Sequence, residues 1–148
     1  MSISRATRPR TITKRVDFSE AAWNTVATHT LFEVDGAIVD VELFARTVTA
    51  LTTGGAPTVE AGVVSDTDTF YTADQHTDRG ATAEAIWLQA GSESKEPVMT
   101  DVAVKQATTD DIVVKINTAA LTGGVIEFTL RFVPLGDAEV TYGDGSAP

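Results

Sequence analysis

Four aspartates in one short stretch of the sequence are the best candidates for metal ligands. Asp66, Asp68, Asp74 and Asp78 lie within a single polar region of the chain, and carboxylate oxygens at this density could hold Ca²⁺. The spacing departs from an EF-hand loop, because no glycine stands at its sixth position and Thr77 stands where its glutamate would be. A solvated acidic loop explains the same residues. The sequence therefore predicts no metal site and no cofactor, with Ca²⁺ binding at this loop left open.

Groups for nucleophilic or acid–base catalysis are sparse. The chain has no cysteine and no Gly-x-Ser-x-Gly motif, and its only histidines are His29 and His76. His29 falls on the polar face of its predicted strand, so we expect it to face solvent or a subunit contact, and His76 lies in a polar loop. Phosphate- and dinucleotide-binding glycine motifs are absent. We therefore expect no catalytic residues, no cofactor-binding residues and no enzymatic activity.

Four aromatic residues could form a sugar-binding platform. Trp23, Trp87, Phe70 and Tyr71 are large enough for this role. Aromatic residues make up only 7% of the chain, and a domain of this size would use most of them in its core. We expect these four in the core, with the platform as the alternative.

Five basic residues precede every acidic one. Arg5, Arg8, Arg10, Lys14 and Arg15 give the first 15 residues a charge of +5, and the other residues carry −15, for a net charge of −10. The acidic body and the lack of aromatics in this segment disfavour nucleic-acid binding. Two interpretations remain: a frayed terminus, or an arm that docks on an acidic partner such as a neighbouring copy. We name these five residues as the candidate docking arm.

Alternating apolar residues predict strands. Thr (23 residues) and Val (17 residues) dominate the composition, and both are β-branched. The clearest strands are predicted at Val125–Val133, Ala37–Arg46, Asp111–Asn117 and Val98–Lys105. Weaker ones are predicted at Thr11–Phe18, Thr25–Val34, Pro57–Val64, Thr69–Thr72, Thr82–Leu88 and Ala138–Tyr142. The predicted core is Val39, Val41, Leu43, Ile112, Val114, Ile126, Phe128, Leu130 and Phe132, with Val98, Val102 and Val104 also inward.

About ten short strands predict an all-β fold. We expect an antiparallel β-sandwich of jelly-roll-like form, with Asp35-Gly36 as a two-residue hairpin turn. The expected organisation is a basic extended arm over residues 1–15, the sandwich over 16–142 and a flexible tail over 143–148. No apolar run reaches the roughly 20 residues that a membrane span needs.

Two stretches carry a family resemblance. Ala22-Trp23-Asn24-Thr25-Val26-Ala27, continuing through Leu31-Phe32-Glu33-Val34-Asp35-Gly36, is the first. The second is the segment Thr118–Phe128, closed by Pro134-Leu135. Across about residues 20–135, the chain resembles the small β-sandwich decoration (cement) proteins of tailed viruses and bacteriophages.

The resemblance implies a structural role with no catalytic residues. It implies a homotrimer on the capsid surface that binds the major capsid protein, with neither nucleic acid nor membrane as a partner. The expected location is the virion, and the host cytoplasm during assembly. The alternative from the same architecture is a carbohydrate- or receptor-binding jelly-roll module, either tail-associated or secreted.

Overall fold

All regular elements in the described part of the chain are β-strands. The computed structural model describes residues 8–89, 92–95 and 103–143. The strands are β1 (Arg10–Asp17), β2 (Thr28–Asp35), β3 (Ile38–Thr53), β4 (Thr58–Val63), β5 (Asp66–Gln75), β6 (Ile86–Leu88), β7 (Ser92–Ser94), β8 (Ala103–Thr108), β9 (Ile112–Asn117), β10 (Leu121–Pro134) and β11 (Glu139–Tyr142). Among these residues there is no helix with the length and apolar character to cross a membrane.

The strands form two antiparallel sheets that pack face to face. Sheet A has the order β1-β10-β3-β6-β7, and β8 pairs with the first half of β3. Sheet B has the order β11-β2-β9-β4-β5. Apolar residues from both sheets share one buried cluster between them. The predicted antiparallel β-sandwich is confirmed.

Strand β10 shows why the sheets pack in this way. Its residues Ile126, Phe128, Leu130 and Phe132 are buried, while the residues between them are partly exposed. Successive side chains of a strand point to opposite faces, so one face enters the core and the other remains outside. The same alternation buries Ile112, Val114 and Ile116 in β9 and Val41 and Leu43 in β3. These core predictions are confirmed.

Val39 is an exception, because a bulge interrupts β3. Ile38 and Val41 are both buried, whereas Val39 is only half-buried. Between them, Asp40 has a φ of 50°, a left-handed conformation that aspartate tolerates better than most residues. The pairing of β3 with β10 shifts at this point. The extra residue changes which side chain faces inward, so the prediction for Val39 was wrong.

Val104 also lies on the opposite face from the one predicted. Ala103 pairs with the buried Leu43, and Val104 pairs with the outward-facing Glu42. Directly paired residues share a face, so Val104 is 50% exposed. Val98 and Val102, predicted on the same strand, lie outside the described residues.

Asp35-Gly36 connects two sheets rather than two paired strands. It joins β2 in sheet B to β3 in sheet A, so the predicted hairpin was wrong. Gly36 has a φ of 94°, and a Cβ at this position would lie 2.9 Å from the Cβ of Ala138. The glycine thus provides both the backbone conformation and the space for the crossing.

The residues on either side of the predicted sandwich boundaries belong to the fold. Arg10–Asp17 pairs with β10 along its whole length, so the expected arm boundary at residue 15 falls inside a strand. Gly143, placed in the predicted tail, donates its backbone N–H to Leu31 O (3.0 Å). Residues 1–7 and 144–148 lie outside the described residues.

Replacing Phe128 tests the core. Phe128 is fully buried, and its ring lies 5.8 Å from the Trp87 ring, edge to face. We expect Phe128→Ala to lower the free energy of unfolding by about 3–5 kcal/mol, because it removes apolar contacts and leaves a cavity. Urea denaturation measures this loss. Phe44→Ala, on the outer face of the same sheet, is the control and should cost less than half as much. Equal losses would contradict the assignment of faces.

Candidate docking surfaces

The five basic residues predicted to form a docking arm divide into four groups, of which Lys14 is the fourth. Arg5 lies outside the described residues. Arg8 and Arg10 are exposed, just before β1 and at its first position. Arg15 lies in β1 and forms an ion pair with Glu127 of β10 at 3.3 Å. Exposed basic charge therefore continues from the arm segment into the edge of sheet A.

Lys14 is buried and is not part of this exposed set. Alternate residues of a strand share a face, and Lys14 lies on the inward face of β1 together with Ile12 and Val16. Only 3% of Lys14 is exposed. The ammonium lies 5.2 Å from the Trp23 ring and 5.5 Å from the Tyr142 ring, and it donates to Gly143 O at 3.5 Å. Tyr142 belongs to sheet B, so Lys14 joins the two sheets beside β1 and β11.

A row of alternating charges crosses the outer face of sheet A. Arg15 pairs with Glu127, and Glu127 also pairs with Arg46 at 3.4 Å. Arg46 in turn pairs with Glu84, beyond the edge of β3. Cross-strand register produces this row, because Arg15, Glu127 and Arg46 are directly opposite one another. Arg131 and Glu42 form a second, parallel pair at 3.7 Å.

Apolar side chains lie beside these charges. Phe44, Ile86 and Thr129 border a shallow depression of about 210 Å³, and Val104 is exposed opposite Glu42. The ion-paired residues of this face are three arginines and three glutamates. The outer face of sheet A is thus electrically balanced and partly apolar, although the chain carries a net charge of −10.

The outer face of sheet B is acidic. Glu33, Asp35, Asp111 and Glu139 surround an open depression of about 390 Å³. Asp111 accepts the backbone N–H of Val34 at 2.8 Å. Within residues 8–89, 92–95 and 103–143, none of these four acids forms an ion pair. The two outer faces therefore differ strongly in charge.

The aspartates considered for Ca²⁺ do not form one site. Asp66 and Asp68 lie at the start of β5, where hydrogen bonds from Thr69 and Asp68 lower the pKa of Asp66. The hydrogen bond with Asp66 raises the pKa of Asp68. Asp74 is near the other end of β5, and Asp78 follows it. In the described segments, no three histidine, aspartate or glutamate side chains converge as metal ligands.

The histidines do not pair with a nucleophile in the contacts observed. His29 is buried, contrary to expectation: it pairs with the inward-facing Val114, its ring lies 5.6 Å from the Trp23 ring, and its Nε2 lies 3.0 Å from Thr25 O. The pairing of β2 with β9 shifts one step later, which explains why simple alternation misplaced His29. His76 follows β5, in the segment that leads to Arg79.

The four aromatics considered for a sugar platform lie in the core. Trp23, Trp87, Phe70 and Tyr71 are all 4% exposed or less. Trp87 packs against both Tyr71 and Phe128. These side chains cannot stack on a ligand in solution while the fold is intact.

Arg79 is a buried charge that no pattern in the sequence indicates. The residue has no exposed surface, and its guanidinium lies 5.4 Å from each of the Tyr71 and Trp87 rings. It donates to four backbone carbonyls, from both sheets and the segment after β6: Val59 O, Thr72 O, Leu88 O and Gln89 O. Burial lowers its pKa. Arg79 joins the two sheets on the side opposite Lys14.

Glu93 holds the segment that carries Arg79. Its carboxylate accepts the backbone N–H groups of Gly80 and Thr82 and the hydroxyl of Thr47. That hydroxyl in turn accepts the Trp87 indole N–H at 3.1 Å. Acceptors and donors in this network lie far apart in sequence, so neither spacing nor periodicity indicated it.

Comparison with known proteins shows what this fold is similar to. No protein-family model matches this chain, and no curated protein matches it. Among solved structures, it is similar to a chain of the structure described as the cyanophage Pam1 capsid asymmetric unit, with a TM-score of 0.55. The sequences are 14% identical, and the alignment covers 91% of each chain. A likeness at this level of identity shows a shared fold.

Substituting Arg79 tests whether it stabilises the sandwich. We expect Arg79→Met to lower the free energy of unfolding by about 3–5 kcal/mol, because buried carbonyls lose their donors. Arg131→Met is the matched control, since Arg131 is partly exposed and has one ion pair. It should change stability by less than about 1 kcal/mol. Urea denaturation of both variants measures the difference, and similar small effects would contradict this role for Arg79.

Tyr71 should make stability depend on alkaline pH. Burial raises the pKa of its hydroxyl above the ordinary value of 10.0, and the hydroxyl donates to Leu43 O at 2.7 Å. Above pH 10 the unfolded chain loses this proton while the folded chain retains it, so stability falls as pH rises. At pH 7, Tyr71→Phe should cost about 1 kcal/mol.

At pH 11 the difference in the free energy of unfolding between wild type and Tyr71→Phe should disappear or reverse. The reason is that ionisation of Tyr71 stabilises the unfolded wild type by about 1.4 kcal/mol for each pH unit above the pKa of the unfolded chain. Urea midpoints of both proteins at pH 7 and pH 11 check this expectation. A constant difference would show that Tyr71 ionises equally in both states.

Proposed function

We propose that this protein is a structural component of a tailed-virus capsid, where it acts as a decoration (cement) protein rather than an enzyme. One observation carries the proposal. The fold is similar, over 91% of both chains, to a chain from a phage capsid asymmetric unit. Equal coverage means that the two chains have nearly the same length, so the likeness is between whole chains.

The internal chemistry supports a structural role. Lys14 and Arg79 are both buried, and both bind backbone carbonyls and aromatic rings. Their charges are thus used to hold the sheets together. The burial of Trp23, Trp87, Phe70 and Tyr71 removes the feature that favoured a carbohydrate-binding module. What remains available to a partner is the surface of the two sheets.

The charge distribution favours the outer face of sheet A as the surface that contacts the capsid. A protein with a net charge of −10 is repelled least where its own charges are balanced, and this face pairs three arginines with three glutamates. Phe44, Ile86 and Val104 add apolar area to it. The acidic face of sheet B would then face solvent. The proposed partner is the major capsid protein, and the proposed assembly is a homotrimer.

Particle composition tests this function. We expect quantitative mass spectrometry of purified virions, from the virus that encodes this chain, to find it in a fixed ratio to the major capsid protein. The ratio should remain constant through density-gradient purification and should match a symmetry position of the capsid. Absence of the chain from intact particles would refute the proposal.

A matched pair of variants tests the contacting face. Val104 on sheet A is 50% exposed, and Val64, in the β4–β5 turn, is 57% exposed. We expect Val104→Asp to weaken binding to particles stripped of the protein by at least about tenfold, because it places a charge in a desolvated contact. Val64→Asp should bind within about twofold of wild type. Thermal unfolding confirms that both variants are folded, and equal binding would exclude this face.

A further inference from the structure

A groove runs between the edge strands on one side of the sandwich. Strand β1 of sheet A and strand β11 of sheet B border an open space of about 320 Å³. Ile12, Phe132 and Val140 provide its apolar surface, and Arg10 and Glu139 lie at its rim. Each edge strand is hydrogen-bonded to one neighbour only, within the part of the chain that the structure describes. Both edges can therefore accept an additional extended segment.

The groove continues into the acidic depression on sheet B. Glu139 and Thr141 border both spaces. Beyond them lie Glu33, Asp35 and Asp111. A segment that enters between β1 and β11 thus meets apolar side chains first and four carboxylates next. The surface suits a ligand that combines an apolar residue with positive charge.

The nine residues before β1 have this composition. Their sequence is Met-Ser-Ile-Ser-Arg-Ala-Thr-Arg-Pro, which offers Ile3 as an apolar anchor and Arg5 and Arg8 as charges, with no acid. Fully extended, nine residues span about 30 Å. This reach is enough to cross from one compact domain to the surface of another.

We propose that residues 1–9 of one copy bind the groove between β1 and β11 of a second copy. In a single chain the complementary charges remain unmatched: Arg8 and Arg10 are exposed, and neither forms an ion pair among the residues described. The salt bridges of the described segments include none of the four acids around the depression either. When two copies bind, the arginines of one arm lie beside the acids of the other copy. Their attraction offsets the repulsion between two acidic bodies.

This contact is heterologous, because the arm of one copy meets the groove of the next. Such contacts close into a ring when the rotation between copies permits it, which is consistent with the proposed homotrimer. The inference extends the proposed function, but its test needs no capsid. The isolated protein is sufficient.

Reciprocal charge reversal tests the contact. The arm variant is R5E/R8E and the groove variant is E33K/E139K. Each variant alone should associate at least about tenfold more weakly than wild type in 50 mM salt, because attraction becomes repulsion. An equimolar mixture should regain association, since each arm then meets a groove of opposite charge. Sedimentation velocity of the full-length proteins measures all three samples.

The control K95E/K105E changes net charge by the same amount as the arm variant but lies away from the groove. It should associate within about threefold of wild type. Raising salt to 500 mM should weaken wild-type association several-fold. Wild type that remains monomeric at millimolar concentration, or a mixture that does not regain association, would overturn the inference. If the arm of each copy bound the groove of the same copy, wild type would remain monomeric. Neither result would alter the virion measurement, so the proposed capsid role and the proposed arm contact fail independently.

Discussion

The structure depends on two buried cations, one on each side of the sandwich. Lys14 contacts the rings of Trp23 and Tyr142 beside β1 and β11, and Arg79 contacts Tyr71 and Trp87 beside β5 and β6. Each donates to backbone carbonyls and contacts elements of both sheets. A buried charge is costly unless it is hydrogen-bonded or paired, and here backbone carbonyls and aromatic faces take the place of water around most of each cation. The sides of the sandwich are thereby closed in a chain that has no cysteine for a disulfide.

Because Lys14 and Arg79 make their contacts inside the sandwich, the outer faces of the two sheets can differ in charge. The chain is acidic overall, but cross-strand register places its arginines and glutamates opposite each other on sheet A. Sheet B instead concentrates unpaired acids near β11. One domain thus presents a balanced, partly apolar surface and an acidic surface on opposite sides. That asymmetry is compatible with the proposed position between a capsid lattice and solvent.

Local periodicity predicted most of the fold and little of the candidate sites. Alternation places Phe128 correctly because a strand with one buried face repeats every two residues. It fails at Val39 and His29, where pairing shifts change the parity. Lys14 has inward parity in the sequence, but its basic neighbours suggested an exposed arm. Arg79 could not be found at all, since its four carbonyl partners come from segments that only the tertiary fold brings together.

The antiparallel pairing of β1 determines how the domain would respond to pulling from its N-terminal side. All eight residues of β1 are in register with β10, and β10 is in turn paired with the 16-residue β3. Hydrogen bonds between antiparallel strands run perpendicular to the strand axis. A force along β1 therefore loads these bonds together in shear instead of peeling them one at a time. The edge strand acts as a mechanical anchor that passes tension to the centre of sheet A.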